Sequence, residues 1–270
     1  QVDALTNLMA NGANVIVFAP LDAAGIVPVV EKANEAGVLV FSIDDSPAGG
    51  KVTATVRADN VDAGAQGAKE MAKRLEAAPC WKDDSCIVLE LQGALTTPNG
   101  LDRSEGFAKT LGELAPKVQI IQRPTEWTAD MAADAAQNVL TQNPNLAGIF
   151  MASELMATAV NAQLNAAGKG AAVGEEGSVI RIAIDGTPQG LQLIRDKALD
   201  ATVSQPLSAY ATKTAELIEL VSAGGKIELG KRDDGQVIDT PVGPQYQLNA
   251  TLVTAENVDS PDLWANQVGK

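Results

Sequence analysis

The sequence predicts an α/β protein built on parallel sheets, and three observations carry that prediction. Short apolar runs of strand length alternate with segments of helical periodicity almost from end to end, the signature of βαβ units. The composition is 46% hydrophobic but only 3% aromatic, and the Ala, Val, Leu and Ile that dominate it suit helices packed on buried parallel strands. The length of 270 residues is long for one compact core, and two lobes pack that many βαβ units better than a single sheet.

Taken in order, residues 2–12 (VDALTNLMANG) read as a helix closed by Gly12. NVIVFAP is a buried strand stopped by Pro20, residues 22–36 are helical up to Gly37, and VLVFSI (38–43) is the next strand. SPAGGK is turn chemistry, and KVTATVRAD alternates as an exposed strand or a crossover does. Helices are expected at 60–78, 101–115, 128–142, 154–167, 187–197 and 207–223. Between them lie strands IVLELQG (87–93), VQIIQ (118–122), LAGIFMA (146–152), VIRIAI (179–184) and DATVSQ. GKGAAVGEEG reads as a Gly-rich insertion. The tail, GKRDDGQVIDTPVGPQYQLNATLV, is looser and suggests one or two extended crossings and a short final strand. No repeat of 20–50 residues and no low-complexity linker divides the chain, so any lobes are joined by strands.

Composition excludes much chemistry. There is no histidine, which removes Ser-His and Cys-His dyads, His-ligated zinc and imidazole acid–base steps. Two cysteines cannot make a four-cysteine metal site. The net charge of −14 argues against nucleic acid or an anionic membrane surface as a partner. No segment approaches the ~18 consecutive apolar residues that crossing a bilayer needs. Gln1 opens directly into an amphipathic segment without a signal-peptide pattern, so the chain reads as a processed or truncated product. Cys80 and Cys86 flank WKDDS. That spacing admits a small disulfide loop and hence an exported protein, or else two reduced thiols.

No enzyme motif survives inspection. Gly168, Gly170 and Gly174 do not form a dinucleotide fingerprint after a strand, there is no P-loop, and no nucleophile elbow occurs. The pairs Asp83–Asp84 and Asp233–Asp234 sit in polar loops and read as solvated charge rather than metal ligands; no catalytic residue, metal or cofactor is expected. Ligands of open α/β sheets bind beyond the carboxyl ends of strands, and polar residues gather there: Asp44, Asp45, Arg103, Trp127, Ser153, Asp185 and Gln205. Carboxylates and amides accept from hydroxyls, Arg donates, and an indole face covers C–H groups, which is the chemistry of a polyhydroxyl ligand. Each residue also has a plainer reading. Asp185 serves equally as a helix N-cap, Arg103 as a surface residue beside Glu105, Trp127 as core, and Gln205 as the mark of a crossover. Asp44 and Asp45 alternate across a strand, so one alone need face a ligand.

Several stretches carry a family resemblance: ANGANVIVFAPLDAAGIVPVVEKANEAGVLVFSIDD, VRADNVDAGAQGAKEMAKRL, IVLELQG with LDRSEGF, QNVLTQNPNLAGIFMASELMA, and VIRIAIDGTPQGLQLIRDKALDATVSQ. With R-x-x-G-F, D-G-T-P and the Gln-Pro after the A-T-V strand, the chain resembles the type I periplasmic solute-binding proteins of ABC sugar transporters, in their ribose-binding branch. The resemblance implies an α/β, two-lobed periplasmic-binding-protein-like fold, with parallel sheets flanked by helices and a three-strand hinge. Crossings are implied near Ala58–Asp59, Gln205–Leu207 and Pro244–Leu248. The N-terminal lobe is then 1–58 plus 206–244, incomplete at its start, and the C-terminal lobe 59–205 plus 245–270. Asp44, Arg103, Trp127, Asp185 and Gln205 occupy family ligand positions, with Trp127 in place of a family Phe.

Three departures stand out. Ala19 replaces a family Asn, Asp45 replaces an Arg after Asp44, and Ser153 replaces an Asn. The family also begins with a strand, a helix and a second strand before the helix at Val2, roughly 30 or more residues. The resemblance therefore implies a fragment lacking its N-terminal βαβ unit, with NVIVFAP left at a sheet edge, or a divergent member with a shortened first lobe. The function implied is an extracytoplasmic, periplasmic or extracellular, monomeric protein. It binds a neutral monosaccharide or sugar alcohol in an interlobe cleft and delivers it to a membrane ABC permease, with no nucleic acid as partner. The alternative is the effector-binding core of a LacI-type transcription regulator, which shares the fold. A glycosidase-like Asp44–Asp185 pair is the remaining enzymatic reading.

Overall fold

Aliphatic runs bounded by Gly and Pro form the strands of two sheets, and the amphipathic segments between them form the helices. A computed structural model describes residues 1–268. Contacts divide the chain into two units. The first begins with Gln1–Asp59, which carries α1 (Val2–Ala10), β1 (Val15–Phe18), α2 (Val27–Glu35), β2 (Leu39–Ile43) and β3 (Ala54–Ala58). The second comprises Asn60–Gln205 and the segment from Ala250 onward. It holds α3 (Asn60–Leu75), β4 (Ile87–Gln92), α4 (Pro98–Leu114), β5 (Gln119–Pro124), α5 (Ala129–Gln142), β6 (Gly148–Met151), α6 (Ala157–Ala166), β7 (Ile180–Asp185), α7 (Pro188–Arg195) and β8 (Ala201–Ser204). The first unit resumes over Pro206–Asn249 with α8 (Leu207–Ser222), β9 (Gly230–Arg232), β10 (Gly235–Thr240) and β11 (Gly243–Leu248), and β12 (Thr251–Val253) returns to the second.

The first unit's sheet runs β1-β2-β3-β11-β10-β9. Its β1 to β11 portion is parallel, while β10 and β9 are antiparallel. The second unit's sheet runs β12-β8-β7-β6-β4-β5, parallel except for β12. The parallel sheets implied by the βαβ pattern are present, with antiparallel edges that the pattern does not announce.

Two segments differ in part from their sequence reading. Of the two readings of KVTATVRAD, the exposed strand does not hold, since β3 lies between β2 and β11 and every residue of it is buried, whereas the crossover agrees with the chain passing to the second unit after Asp59. The strand's alternating polar side chains are absorbed inside, Thr55 sharing a 2.6 Å hydrogen bond with Ser42. Residues 245–248, assigned by sequence to the second lobe, pair with β3 in the first unit's sheet, so the last crossing falls at 249–250. Positions 269–270 of the expected C-terminal lobe lie outside the described residues. Asp234 is exposed, in keeping with its reading as solvated charge, and also accepts a hydrogen bond from Tyr246 at 2.5 Å and pairs with Lys213 at 3.1 Å.

The second unit is layered around its sheet because successive strand residues face opposite sides. Leu89, Leu91, Ile149 and Met151 pack with Ala136 and Val139 of α5 and with Val160 and Leu164 of α6. On the other face Val88, Phe150 and Ile182 pack with α3 and α4. There Phe107 stacks on Phe150 with ring centroids 3.9 Å apart. The R-x-x-G-F motif has a physical basis in this layer. A Cβ on Gly106 would lie 2.0 Å from the Val61 carbonyl oxygen, and one on Gly64 would lie 2.2 Å from that of Arg103. Both helices therefore need glycine at their crossing. Cys80 and Cys86 form a disulfide beside the short 3-10 turn Pro79–Trp81. Among the described residues no helix is long and apolar enough to cross a membrane.

Gly106→Ala is expected to cost about 2 kcal/mol of unfolding free energy by overpacking backbone against backbone. Gly112→Ala, on the same helix but facing open space, is expected to gain about 0.5–1 kcal/mol. Denaturant titration of both variants checks this, and equal midpoints would contradict it. Replacing Cys80 and Cys86 by Ser is expected to lower stability by about 2 kcal/mol through the freed loop of the unfolded chain, again read from the unfolding midpoint.

Candidate functional site

The carboxyl ends of β4, β5, β6, β7 and β8 lie on one side of a parallel sheet, and the helix-starting turns after them carry polar side chains. Strand β7 ends at Asp185, whose backbone sits at φ +139°. The turn Gly186–Thr187 then opens α7, with Thr187 as N-cap accepting from the Gly190 amide at 3.0 Å and Pro188 in the first turn. The cap role that competes for Asp185 in the sequence is thus filled by Thr187, and the Asp185 carboxylate is left to other partners.

Those four partners converge from three places, α4 and the turns after β6 and β8. Asp185 Oδ1 accepts from Arg103 Nη1 at 3.3 Å and from Gln205 Nε2 at 2.8 Å. Oδ2 accepts from Ser153 Oγ at 2.6 Å and from the Glu154 amide at 3.3 Å. Arg103 stands one turn into α4 and is 3% exposed, so its charge needs this compensation. It also donates from Nε to Asn60 Oδ1 at 2.7 Å and from Nη1 to the Ala152 carbonyl at 2.7 Å, while Nη2 makes no hydrogen bond among the described residues. Asn60 is itself held by Asn99 at 2.9 Å.

Trp127 lies in the turn between β5 and α5, in a left-handed conformation at φ +62°. Its ring sits 5.5 Å from the Arg103 guanidinium carbon, within cation–π range. The ring is half-buried, packs against the core of the second unit as its plainer reading has it, and also abuts the backbone of Gly93, just past β4. A Cβ there would fall 2.2 Å from the ring, so Gly93 is the space into which the indole fits. The five residues predicted for this unit, Arg103, Trp127, Ser153, Asp185 and Gln205, are therefore linked into one constellation. Asn60, Glu154 and Gly93 belong to it as well and are not among the residues singled out in the sequence. The Glu154 carboxyl is raised to about 7 by burial and by the charge of Asp185, against hydrogen bonds from Thr187 and Thr202 that lower it.

Asp44 and Asp45 lie in the first unit, beyond the end of β2 at Ile43. They do not alternate across a strand. Asp44 is left-handed at φ +66°, its amide donating to the Val56 carbonyl. Asp45 is buried and accepts from the Ser46 amide at 2.9 Å.

The family described as the periplasmic binding protein domain matches residues 1–226. The chain belongs to this family. Among curated relatives, this periplasmic binding protein domain is 28% identical over 233 residues to the D-allose-binding periplasmic protein of Escherichia coli K12, covering 83% of this chain and 71% of that protein. It is 26% identical over 223 residues to the ribose import binding protein RbsB of Salmonella typhimurium, covering 82% and 70%. In structure it resembles an ABC transporter periplasmic solute binding protein of Actinobacillus succinogenes 130z with bound D-allose. The TM-score is 0.78 at 23% identity, covering 96% of this chain and 84% of that one. The two-lobed fold implied by the sequence resemblance is the fold of such neighbours.

In this periplasmic binding protein domain Gly93→Ala is expected to displace the Trp127 indole without unfolding the protein, because the end of one half-buried side chain is easier to move than packed backbone. Trp fluorescence should shift and quench differently from the wild type while the unfolding midpoint falls by about 1 kcal/mol or less. An unchanged emission spectrum would contradict the packing described.

Proposed function

We propose that the chain is an extracytoplasmic binding protein for a neutral monosaccharide or sugar alcohol, which it carries to a membrane ABC permease. The observation that carries this reading is the Arg103–Asp185 pair. Its Arg103 is buried and its Asp185 half-buried, and the pair is neutral as a unit and flanked by an amide, a hydroxyl and an indole. Such a set offers Arg103 Nη2 as a donor, oxygen lone pairs as acceptors and an aromatic face to the C–H side of a ring. It provides no excess positive charge for a phosphate or carboxylate ligand. Asp44 and Asp45 are proposed as further ligand-binding residues, on the strength of their place after β2. The relatives named for allose and ribose support a hydroxylated ligand. The disulfide supports an oxidising compartment such as the periplasm or the cell exterior.

The ligand is bound and released unchanged. Asp185 already receives four donors, so its carboxylate acts as a fixed hydrogen-bonding frame.

Calorimetric titration with D-allose, D-ribose and myo-inositol tests the proposal. At least one should bind, and Asp185→Ala should weaken that binding at least tenfold, about 1.4 kcal/mol or more, because Arg103, Ser153 and Gln205 lose the charged acceptor that orients them. Absence of heat with neutral sugars and polyols, or binding of a sugar phosphate instead, would contradict it.

A further inference from the structure

Glu154 lies directly behind the constellation and is only 7% exposed. Four donors converge on its carboxylate. Oε1 accepts from the Gly186 amide at 2.9 Å and from Thr202 Oγ1 at 2.5 Å. Oε2 accepts from the Thr187 amide at 2.8 Å and from Thr187 Oγ1 at 2.5 Å. It thus grips both residues that follow Asp185. Its own backbone amide donates to Asp185 Oδ2, so the same residue holds the Asp185 turn from the side chain and the Asp185 carboxylate from the main chain. The carboxylate also lies at the start of α7, where the helix dipole favours negative charge. A Cβ on Gly190 in the first turn of α7 would lie 2.0 Å from the Glu154 carboxyl carbon, so that turn is shaped around the acid.

We propose that Glu154 is a positioning residue for ligand binding, fixing the Asp185–Thr187 turn so that Asp185 stands ready among its donors. The inference rests on the sugar-binding reading for its consequence, but its geometry stands without a ligand. An ionised carboxylate can accept from all four donors, whereas a protonated acid or an amide turns a donor toward some of them. The turn should therefore be sensitive to the protonation of Glu154. The group titrates near neutrality because burial and the charge of Asp185 raise it to about 7. Asp185, itself paired with Arg103, is the charged group that faces it from β7, and β8 and α7 present hydroxyl and amide groups.

The test has two arms on the whole chain, wild type and Glu154→Gln, between pH 5.5 and 8.5. In the first, the backbone amide resonances of Gly186 and Thr187 are followed by NMR without ligand. They are expected to titrate in the wild type, to move on substitution and to lose their pH response in the variant. In the second, affinity for whichever of D-allose, D-ribose or myo-inositol binds the wild type is measured. It is expected to weaken as pH falls, and to be at least tenfold weaker and flat with pH in Glu154→Gln. Wild-type amide positions in the variant, unchanged affinity, or a pH response that survives the substitution would overturn the proposal. If none of the three sugars binds the wild type, the sugar-binding reading fails, while the amide arm still decides the role of Glu154. The wild-type titration alone decides it should the variant not fold.

Discussion

The second unit's polar end depends on the pairing of Arg103 with Asp185. An Arg side chain 4% exposed and an Asp side chain 17% exposed are each costly to bury alone, by several kcal/mol. Together they are neutral, and each organises further groups. Arg103 draws in Asn60, the Ala152 carbonyl and the Trp127 ring. Asp185 draws in Ser153, Glu154 and Gln205. The pair thus ties α3, α4 and the ends of β6, β7 and β8 to a single point, and hydrogen bonds set the orientation of the side chains it draws in. Such preorganisation is what a binding protein needs, because ordering costs are met during folding rather than during binding.

The packing beneath makes the pairing accessible to the chain. Arg103 reaches Asp185 from α4 because α4 presses against α3 through Gly64 and Gly106, with Phe107 stacked on Phe150 below. Side chains larger than hydrogen at that crossing would lift α4, and Arg103 with it, off the sheet. Similarly, the indole of Trp127 reaches the guanidinium because Gly93 leaves it room. The motif R-x-x-G-F therefore joins one residue that pairs with Asp185 to two that set the height at which it is presented.

Much of this was legible in the sequence for a simple reason. Parallel strands put all their carboxyl ends on one side, so polar residues that end successive strands must be neighbours. Arg103, Trp127, Ser153, Asp185 and Gln205 were found that way. Residues that act from elsewhere leave no such signal. Asn60 opens α3 after a strand of the other unit, Glu154 looks like an ordinary acid at a helix start, and Gly93 looks like loop. The family resemblance, which covered most of the chain, pointed to the fold but named none of these three. At β3 local alternation admits an exposed strand or a crossover, and only the crossover agrees with the unit division. Both faces of that strand are covered, and Thr55 is satisfied by Ser42. The membership of residues 245–248 was likewise invisible locally, since it is decided by pairing with β3, a strand nearly two hundred residues earlier.

The most direct measurement is a double-mutant cycle on Arg103→Gln and Asp185→Asn, read as unfolding free energy. If the pair is the organising interaction, each single substitution leaves a buried partner uncompensated, and the double variant recovers at least about 1 kcal/mol relative to the sum of the singles. Additive costs would show that Arg103 and Asp185 are held independently, and would contradict the account.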